Sequence, residues 1–129
     1  MVDRRPYKIL AIDDDPLILD LVELFLAEFS VMTARGGVRG RVILQTVRPN
    51  LVILDVAMPD LDGLSALRWI REQRKLDQTA VMMLTSKADR STIAEAMKAG
   101  ADGYVIKPFT GENLARRARQ ILKHVRIAA

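Results

Sequence analysis

Acidic, hydroxyl and basic side chains follow four separate apolar runs of the sequence. The runs and the polar residues after them are Lys8–Ile12 with Asp13, Asp14 and Asp15, Leu51–Leu54 with Asp55, Ala80–Leu84 with Thr85 and Ser86, and Gly103–Ile106 with Lys107. Carboxylates are hard oxygen ligands of the kind that Mg²⁺ takes, often only one or two of them directly. A carboxylate can also attack phosphorus and form an aspartyl-phosphate. Such a transfer needs a metal, a cation and donors around the phosphoryl oxygens.

A structural role at the start of a helix accounts for one of the three consecutive aspartates but not for the other two. Asp15 precedes Pro16 and is predicted to be the N-cap of a helix. Capping does not account for Asp13 and Asp14, because carboxylates this close raise one another's pKa unless a cation is present. We therefore predict a Mg²⁺ site that includes Asp13, Asp14 and Asp55.

Asp55 and Lys107 are the other two charged residues with unusual positions. A carboxylate that directly follows four apolar residues, as Asp55 does, is rarely buried without a partner. Lys107, beside an acidic cluster, would supply the counter-charge and could hold a phosphoryl group. The chemistry predicted from the residues is thus a nucleophilic Asp55, a cationic Lys107 and a hydroxyl donor, Thr85.

The elements that must position these residues alternate regularly along the chain. The four runs above and Ser30–Ala34 are predicted to be buried strands, with helices between them. Helical periodicity is clearest in two places: Ile18, Leu21, Val22, Phe25 and Phe29 on one face, and Leu114, Ala118, Ile121, Leu122 and Val125 on another. Weaker patterns predict helices near residues 37 to 47, 63 to 74 and 89 to 99.

Five β-α units of this size predict an α/β fold with a doubly wound, five-stranded parallel sheet and helices on both faces. Strands this apolar are not expected to have a solvated face. In such sheets ligands bind beyond the carboxyl ends of the strands. The polar residues after the four runs should therefore meet at one edge.

Composition excludes several classes of protein. The 129 residues contain no Cys, so disulfides and thiolate metal sites are excluded. The longest apolar runs fall short of the roughly 20 residues that a membrane span needs. The amino terminus lacks the apolar core of a signal peptide. We expect one cytoplasmic domain over residues 1–129, with no membrane contact.

The net charge of +4 is unevenly distributed. Residues 29 to 54 carry four arginines and no acid, and residues 112 to 129 carry five basic residues and one acid, whereas residues 1 to 28 are acidic. In a fold of this kind the basic last helix should pack beside the acidic first helix, so part of the positive charge is balanced within the domain. The remaining charge marks the second and fifth helices as candidate partner surfaces. Direct nucleic-acid binding is not expected, because the basic residues are not interleaved with aromatic ones.

Five motifs, taken in order, resemble the receiver domain of two-component response regulators over roughly residues 7–126. They are Ile9–Pro16, Leu51–Gly63, Leu84–Ser86, Ala99–Tyr104 and Lys107–Phe109. The resemblance implies a flavodoxin-like strand order 2-1-3-4-5. It also implies a phosphorylation-dependent signalling switch rather than an enzyme, although one that assists its own phosphorylation and dephosphorylation.

The resemblance assigns roles around Asp55. This residue would accept a phosphoryl group from a phosphohistidine on a sensor histidine kinase or a phosphotransfer protein. Asp14, Asp55 and the backbone carbonyl of Ala57 would ligate Mg²⁺, while Asp13 would act mostly through water. Lys107 would pair with the phosphoryl oxygens.

The resemblance also implies how the signal leaves the site. A cis peptide is expected between Lys107 and Pro108, since cis bonds are accessible chiefly before proline. Thr85 would move towards the phosphoryl group and Tyr104 would turn inward, which changes the surface of the fourth helix, fifth strand and fifth helix. Ala57 and Lys87 would occupy positions that tune the lifetime of the phosphoryl group. Ala57 is too small to shield the group, Lys87 would either approach it or point to solvent, and Ser86 would narrow the approach of water, so no lifetime is predicted.

Several alternatives stay open at this stage. A phosphatase with an Asp nucleophile usually has a second Asp two residues later, where this chain has Ala57. A degenerate receiver used only for docking should lack the acid pair, Asp55 or Lys107. The single histidine, His124, is interpreted as an ordinary residue near a helix end. The partner could be a downstream protein, an effector domain removed from this chain, or a second copy in a homodimer.

Overall fold

A computed structural model describes residues 3–86 and 90–125 and contains five strands alternating with five helices. The strands are β1 Lys8–Asp13, β2 Ser30–Arg35, β3 Leu51–Asp55, β4 Ala80–Thr85 and β5 Gly103–Ile106. The helices are α1 Pro16–Phe25, α2 Gly37–Leu44, α3 Gly63–Glu72, α4 Arg90–Lys98 and α5 Gly111–Leu122, and a short 3-10 turn at Arg74–Leu76 follows α3. Lys87 and Arg126 lie outside the described residues.

All five strands form one parallel sheet in the order β2-β1-β3-β4-β5. The predicted fold class and strand order are therefore confirmed. In the register of the sheet Asp55 pairs with Leu84, and Thr85 pairs with Ile106. The carboxyl ends of β1, β3, β4 and β5 consequently meet at one edge.

Alternate side chains of the central strands enter two separate cores. Ile9 and Ala11 point towards α1 and α5, whereas Leu10 and Ile12 point towards α2, α3 and α4. This alternation follows from the two-residue period of a strand. Helices cover both faces, as expected, and none of the helices in residues 3–86 and 90–125 has the length and apolar character needed to cross a bilayer.

The structure corrects the predicted extent of the first helix. Helix α1 ends at Phe25, where the Leu26 N–H closes it on the Val22 carbonyl at 2.9 Å, and Phe29 lies beyond it. Phe29 is nevertheless buried, because its ring packs edge-on against Tyr7 with centroids 6.5 Å apart. Phe29 lies in the turn that leads into β2, and its four-residue spacing from Phe25 fits the period of a helix only by coincidence.

The structure also corrects the prediction that every strand is buried. Within the described residues, strand β2 lies at the edge of the sheet and β1 is its one partner. Met32, in its middle, is 44% exposed. An apolar run does not reveal whether a strand has one neighbour or two, so the sequence could not separate β2 from the central strands.

The last helix packs beside the first, as expected for this fold. Glu28, just after α1, accepts hydrogen bonds from Arg119 of α5 at 2.6 Å and forms an ion pair with Arg4 at 3.1 Å. Burial of Leu114, Ala118 and Leu122 confirms most of the predicted inner face of α5. Exposed ion pairs of this kind contribute only about 0 to 1 kcal/mol each, so they orient the two helices more than they stabilise them.

Candidate functional site

Three carboxylates converge at the carboxyl ends of β1 and β3, which are neighbours in the sheet. One oxygen from each of Asp13, Asp14 and Asp55 lies within 4.8 Å of the other two. Asp13 and Asp55 are 1% and 4% exposed, and Asp14 is half-buried. The fold therefore brings together the three residues predicted to form a metal site.

Lys107 places an ammonium group between two of these carboxylates. Its Nζ atom lies 3.0 Å from Asp13 Oδ2 and 3.2 Å from Asp55 Oδ1. The peptide bond between Lys107 and Pro108 is cis, as the resemblance implied. The Lys107 backbone N–H also donates to the Thr85 carbonyl at 2.7 Å. These contacts fix the lysine where β5 ends, two strands away from β3.

The charges at the site do not balance. Burial and the negative charge of Asp13 raise the pKa of Asp55 to about 6, against the opposing effect of Lys107. Burial alone would lower the pKa of Lys107, but its contacts with Asp13 and Asp55 outweigh burial and raise it. Among the described residues, three carboxylates lie around the Lys107 ammonium, so the site favours an additional cation.

The donor set fits Mg²⁺. All the candidate ligands are hard oxygens, and Asp14 and Asp55 would supply the direct carboxylate ligands. Ala57 is exposed, in the loop that follows β3, and its backbone carbonyl would be the third protein ligand. The outer role that the resemblance gives Asp13 stays a prediction, because Lys107 contacts Asp13 and Asp55 alike.

Asp13 and Asp15, at the carboxyl end of β1 and just after it, accept hydrogen bonds from nearby backbone N–H groups. Asp13 Oδ1 accepts from the Asp15 N–H at 2.9 Å. Asp15 Oδ1 accepts from the Leu17 N–H at 2.9 Å and caps α1, with Pro16 at the first helical position. The prediction that Asp15 is an N-cap is confirmed. Asp13 and Asp14 are thereby left to face the site.

The loop between β3 and α3 is held tightly at both ends. The Val56 N–H donates to the Leu84 carbonyl at 3.2 Å, and the Gly63 N–H donates to the Val56 carbonyl at 2.8 Å. A Cβ on Gly63 would lie only 2.1 Å from the backbone oxygen of Asp55. Only glycine allows this approach. Asp62 then caps α3 by accepting from the Ser65 N–H at 2.9 Å.

The two residues assigned to the switch lie next to the same small cavity. Thr85, the last residue of β4, is 2% exposed, and Tyr104 of β5 is half-buried. Both line a cavity between the sheet and α4, together with Ile93 and Met97 of that helix. Movement of Thr85 would therefore change the space available to Tyr104.

The sequence pattern gave no indication of the role of Asp60. Its carboxylate accepts hydrogen bonds from the Gly37 and Val38 N–H groups at the start of α2. The available signal was Gly36, because a helix whose N-cap residue is glycine lacks a capping side chain. Nothing in the sequence, however, could say which residue replaces the cap.

Known proteins resemble the chain over most of its length. The family described as the response regulator receiver domain matches residues 9–119. The chain is 34% identical over 118 residues to the DNA-binding dual master transcriptional regulator RpaA of Synechocystis sp., and 38% identical over 117 residues to the transcriptional regulatory protein GltR of Pseudomonas aeruginosa. These matches cover 90% and 89% of the chain but 49% and 48% of the relatives. The chain thus spans about half the length of these regulators.

Solved structures agree with the sequence matches. The Vibrio cholerae chemotaxis protein CheY4 superposes with a TM-score of 0.86 at 31% identity, covering 90% of this chain and 98% of that one. The BeF3-activated receiver domain of DrrB, from Thermotoga maritima, has a TM-score of 0.81 at 34% identity, covering 92% and 98%. From its fold, its five motifs and these matches, the chain belongs to the receiver domains of two-component response regulators.

Proposed function

We propose that this domain is a switch that takes a phosphoryl group onto Asp55 from a phosphohistidine of a sensor histidine kinase or phosphotransfer protein. The observation that carries the proposal is the buried Asp55 carboxylate, which lies 3.2 Å from the Lys107 ammonium and within a cluster of three metal-binding carboxylates. A cation, hard oxygen ligands and a nucleophile are thus present together, which phosphoryl transfer requires.

The two oxygens of Asp55 have different surroundings. Oδ1 accepts from Lys107 Nζ and, at 3.4 Å, from the Ala57 N–H. Because Lys107 and the Ala57 N–H both donate to Oδ1, Oδ2 is the oxygen that we assign to the attack on phosphorus. The Asp55 oxygen forms the new bond while the bond from phosphorus to the imidazole nitrogen breaks and leaves its electron pair on that nitrogen. Mg²⁺, when bound, neutralises charge on the phosphoryl oxygens.

Phosphorylation would change the surface of the domain because some contacts differ between the phosphorylated and unphosphorylated states. A phosphoryl group on Asp55 would attract the Thr85 hydroxyl, and Tyr104 would enter the space that Thr85 leaves. That movement would alter the surface formed by α4, β5 and α5, to which the partner or effector domain binds. The change is a population shift driven by the extra contacts of the phosphorylated state.

In this proposal the domain assists only the phosphorylation and dephosphorylation of its own Asp55 and does not convert a separate substrate as an enzyme would. Asp55, Lys107 and Thr85 assist both the gain and the loss of the phosphoryl group. Ala57 stands where a phosphatase of the competing type would carry a general acid. The single receiver domain over residues 1–129 and the cytoplasmic location remain predictions.

The nature of the partner is also part of the proposal. The relatives named above are transcriptional regulators about twice as long as this chain. An effector domain is therefore one candidate partner, and a separate protein or a second copy is another. The expectation that nucleic-acid binding is absent gains no support from these relatives.

The proposal predicts a phosphoryl adduct that depends on Asp55. Wild-type protein incubated with acetyl phosphate and Mg²⁺ is expected to gain one adduct, detected by mass spectrometry and removed by hydroxylamine. Asp55→Asn should lose it completely, because the amide is not a nucleophile towards phosphorus. Asp77→Asn changes an exposed acid just after the 3-10 turn and should leave the adduct unchanged. An equal adduct on Asp55→Asn would refute the proposal.

A second prediction concerns Tyr104. Addition of a beryllofluoride mimic of the phosphoryl group should shift the ring signals of Tyr104 in NMR spectra, since its cavity is shared with Thr85. Tyr7 is the internal control, because its ring packs against Phe29 in the core on the other face of the sheet. Equal shifts of both rings, or none at Tyr104, would count against the switch.

A further inference from the structure

Helix α2 begins without a capping side chain of its own. Gly36 precedes it, and no acidic residue lies in its first turn. The first N–H groups of a helix have no partner inside the helix and lie at the positive end of its dipole. Here the Asp60 carboxylate, from the loop after β3, accepts from the Gly37 N–H at 3.1 Å and from the Val38 N–H at 3.0 Å. Asp60 therefore caps a helix to which it does not belong.

Two glycines allow the loop to come this close to α2. A Cβ on Gly36 would lie 2.9 Å from Asp60 Oδ2, and the φ angle of +97° at Gly36 is itself unfavourable for other residues. A Cβ on Gly37 would lie 2.9 Å from both the Cβ and the carbonyl oxygen of Leu61. The start of α2 and the middle of the loop are thus fitted to each other without intervening side chains.

The contact is stronger than a neutral helix cap. Hydrogen bonds from the Val38 N–H and then the Gly37 N–H lower the pKa of Asp60, so its carboxylate is charged at neutral pH. Hydrogen bonds to a charged acceptor are roughly twice as strong as neutral ones. Although Asp60 is exposed, each of its two oxygens has a backbone partner in α2.

The middle of the loop is held by two kinds of contact, the packing of Met58 and Leu61 into the core and the hydrogen bonds of Asp60 to α2. Val56 bonds to β4 at the start of the loop, and Gly63 bonds back to Val56 at its end. Within the described part of the chain, the hydrogen bonds that tie Met58–Leu61 to another element all end on Asp60. Ala57 directly precedes this stretch, three residues before Asp60.

We propose that Asp60 is a positioning residue for the metal site: by tying the loop to α2, it fixes the direction of the Ala57 backbone carbonyl. The inference rests on the proposed function, which assigns that carbonyl to Mg²⁺. Mg²⁺ demands near-ideal octahedral geometry, so a carbonyl on a mobile loop is a poor ligand. Residues that hold metal ligands in place change metal affinity by roughly 10- to 100-fold when they are replaced.

The test is a titration with Mg²⁺ alone, followed by backbone amide signals in NMR spectra with no phosphodonor present. For Asp60→Ala the Mg²⁺ dissociation constant should rise about tenfold, the lower end of the range for residues that hold a ligand. The Gly37 and Val38 amides should exchange faster. Asp60→Asn keeps one acceptor oxygen, so its dissociation constant should lie between those of the wild type and Asp60→Ala.

Val42→Gly is the matched control for a merely structural effect. Val42 is 58% exposed in α2, and its replacement weakens the same helix without touching the loop. Its Mg²⁺ dissociation constant should equal that of the wild type. Asp60→Ala with wild-type Mg²⁺ binding would overturn this inference alone and leave Asp60 as a helix cap. A wild-type protein that binds no Mg²⁺ would instead refute the metal site of the proposed function, and this inference with it.

Discussion

Gly63→Ala is expected to lower the free energy of unfolding by about 3 kcal/mol or more, at the upper end of the range for overpacking. The added Cβ would lie 2.1 Å from the Asp55 backbone oxygen and 2.7 Å from the Cα of Val56. Both neighbours are backbone atoms, which cannot rotate away as a side chain can. The last residue of β3 must therefore shift, and it carries the Asp55 carboxylate. Urea denaturation measures the loss, and the acetyl phosphate assay should show slower formation of the adduct.

Gly103→Ala is the matched control for this prediction. Gly103 is buried in β5, but a Cβ there would first meet the Cδ1 atom of Ile121 at 3.1 Å, the flexible end of a side chain. Its free energy of unfolding should change by less than about 1 kcal/mol, because Ile121 can adjust. Equal losses in the two variants would show that burial, and not the backbone contact at Asp55, sets the cost.

The sequence predicted the position of the site because few arrangements of these elements are possible. Short apolar runs separated by helical periodicity lead to a parallel sheet, and a parallel sheet puts all strand ends of one kind at one edge. Asp13, Asp55 and Lys107 are far apart in the chain, yet each lies at or just after the carboxyl end of a strand. Their convergence follows from the topology and needs no knowledge of side-chain packing.

The contacts that the sequence did not predict depend on how loops meet. The need for glycine at Gly63 comes from the return of the chain towards Asp55, and the role of Asp60 comes from the approach of a loop to α2. Neither contact leaves a periodic pattern. The exposure of Met32 was missed for a related reason, since periodicity describes a strand but not its place in the sheet.

Electrostatics at the site can be tested by removing the Lys107 ammonium, which contacts both Asp13 and Asp55. Lys107→Met is expected to lower the free energy of unfolding in the absence of metal by about 3 to 5 kcal/mol, because Asp13 and Asp55 would remain buried without their counter-charge. Lys98→Met, at an exposed position near the end of α4, is the control and should change it by less than about 0.5 kcal/mol. Urea denaturation in the presence of a chelator measures both.

The loss of unfolding free energy in Lys107→Met should be larger at high pH than at low pH. In the wild type the pKa of Asp55 is raised from 3.8 to about 6, so protonation of Asp55 favours the folded state below pH 3.8 and that contribution is lost as pH rises through about 6. Without Lys107 the pKa of Asp55 rises further. The destabilisation of Lys107→Met should consequently be larger at about pH 8 than at about pH 5.

Mg²⁺ and a second substitution distinguish this explanation from lost packing. Mg²⁺ should restore part of the stability of Lys107→Met, since a ligand that binds only the folded state stabilises it by mass action. Adding Asp13→Asn should also restore stability, because one buried carboxylate is removed, and the two substitutions should be clearly non-additive. Additive losses with no response to Mg²⁺ would mean that the methylene stem of Lys107, and not its charge, stabilises this edge of the sheet.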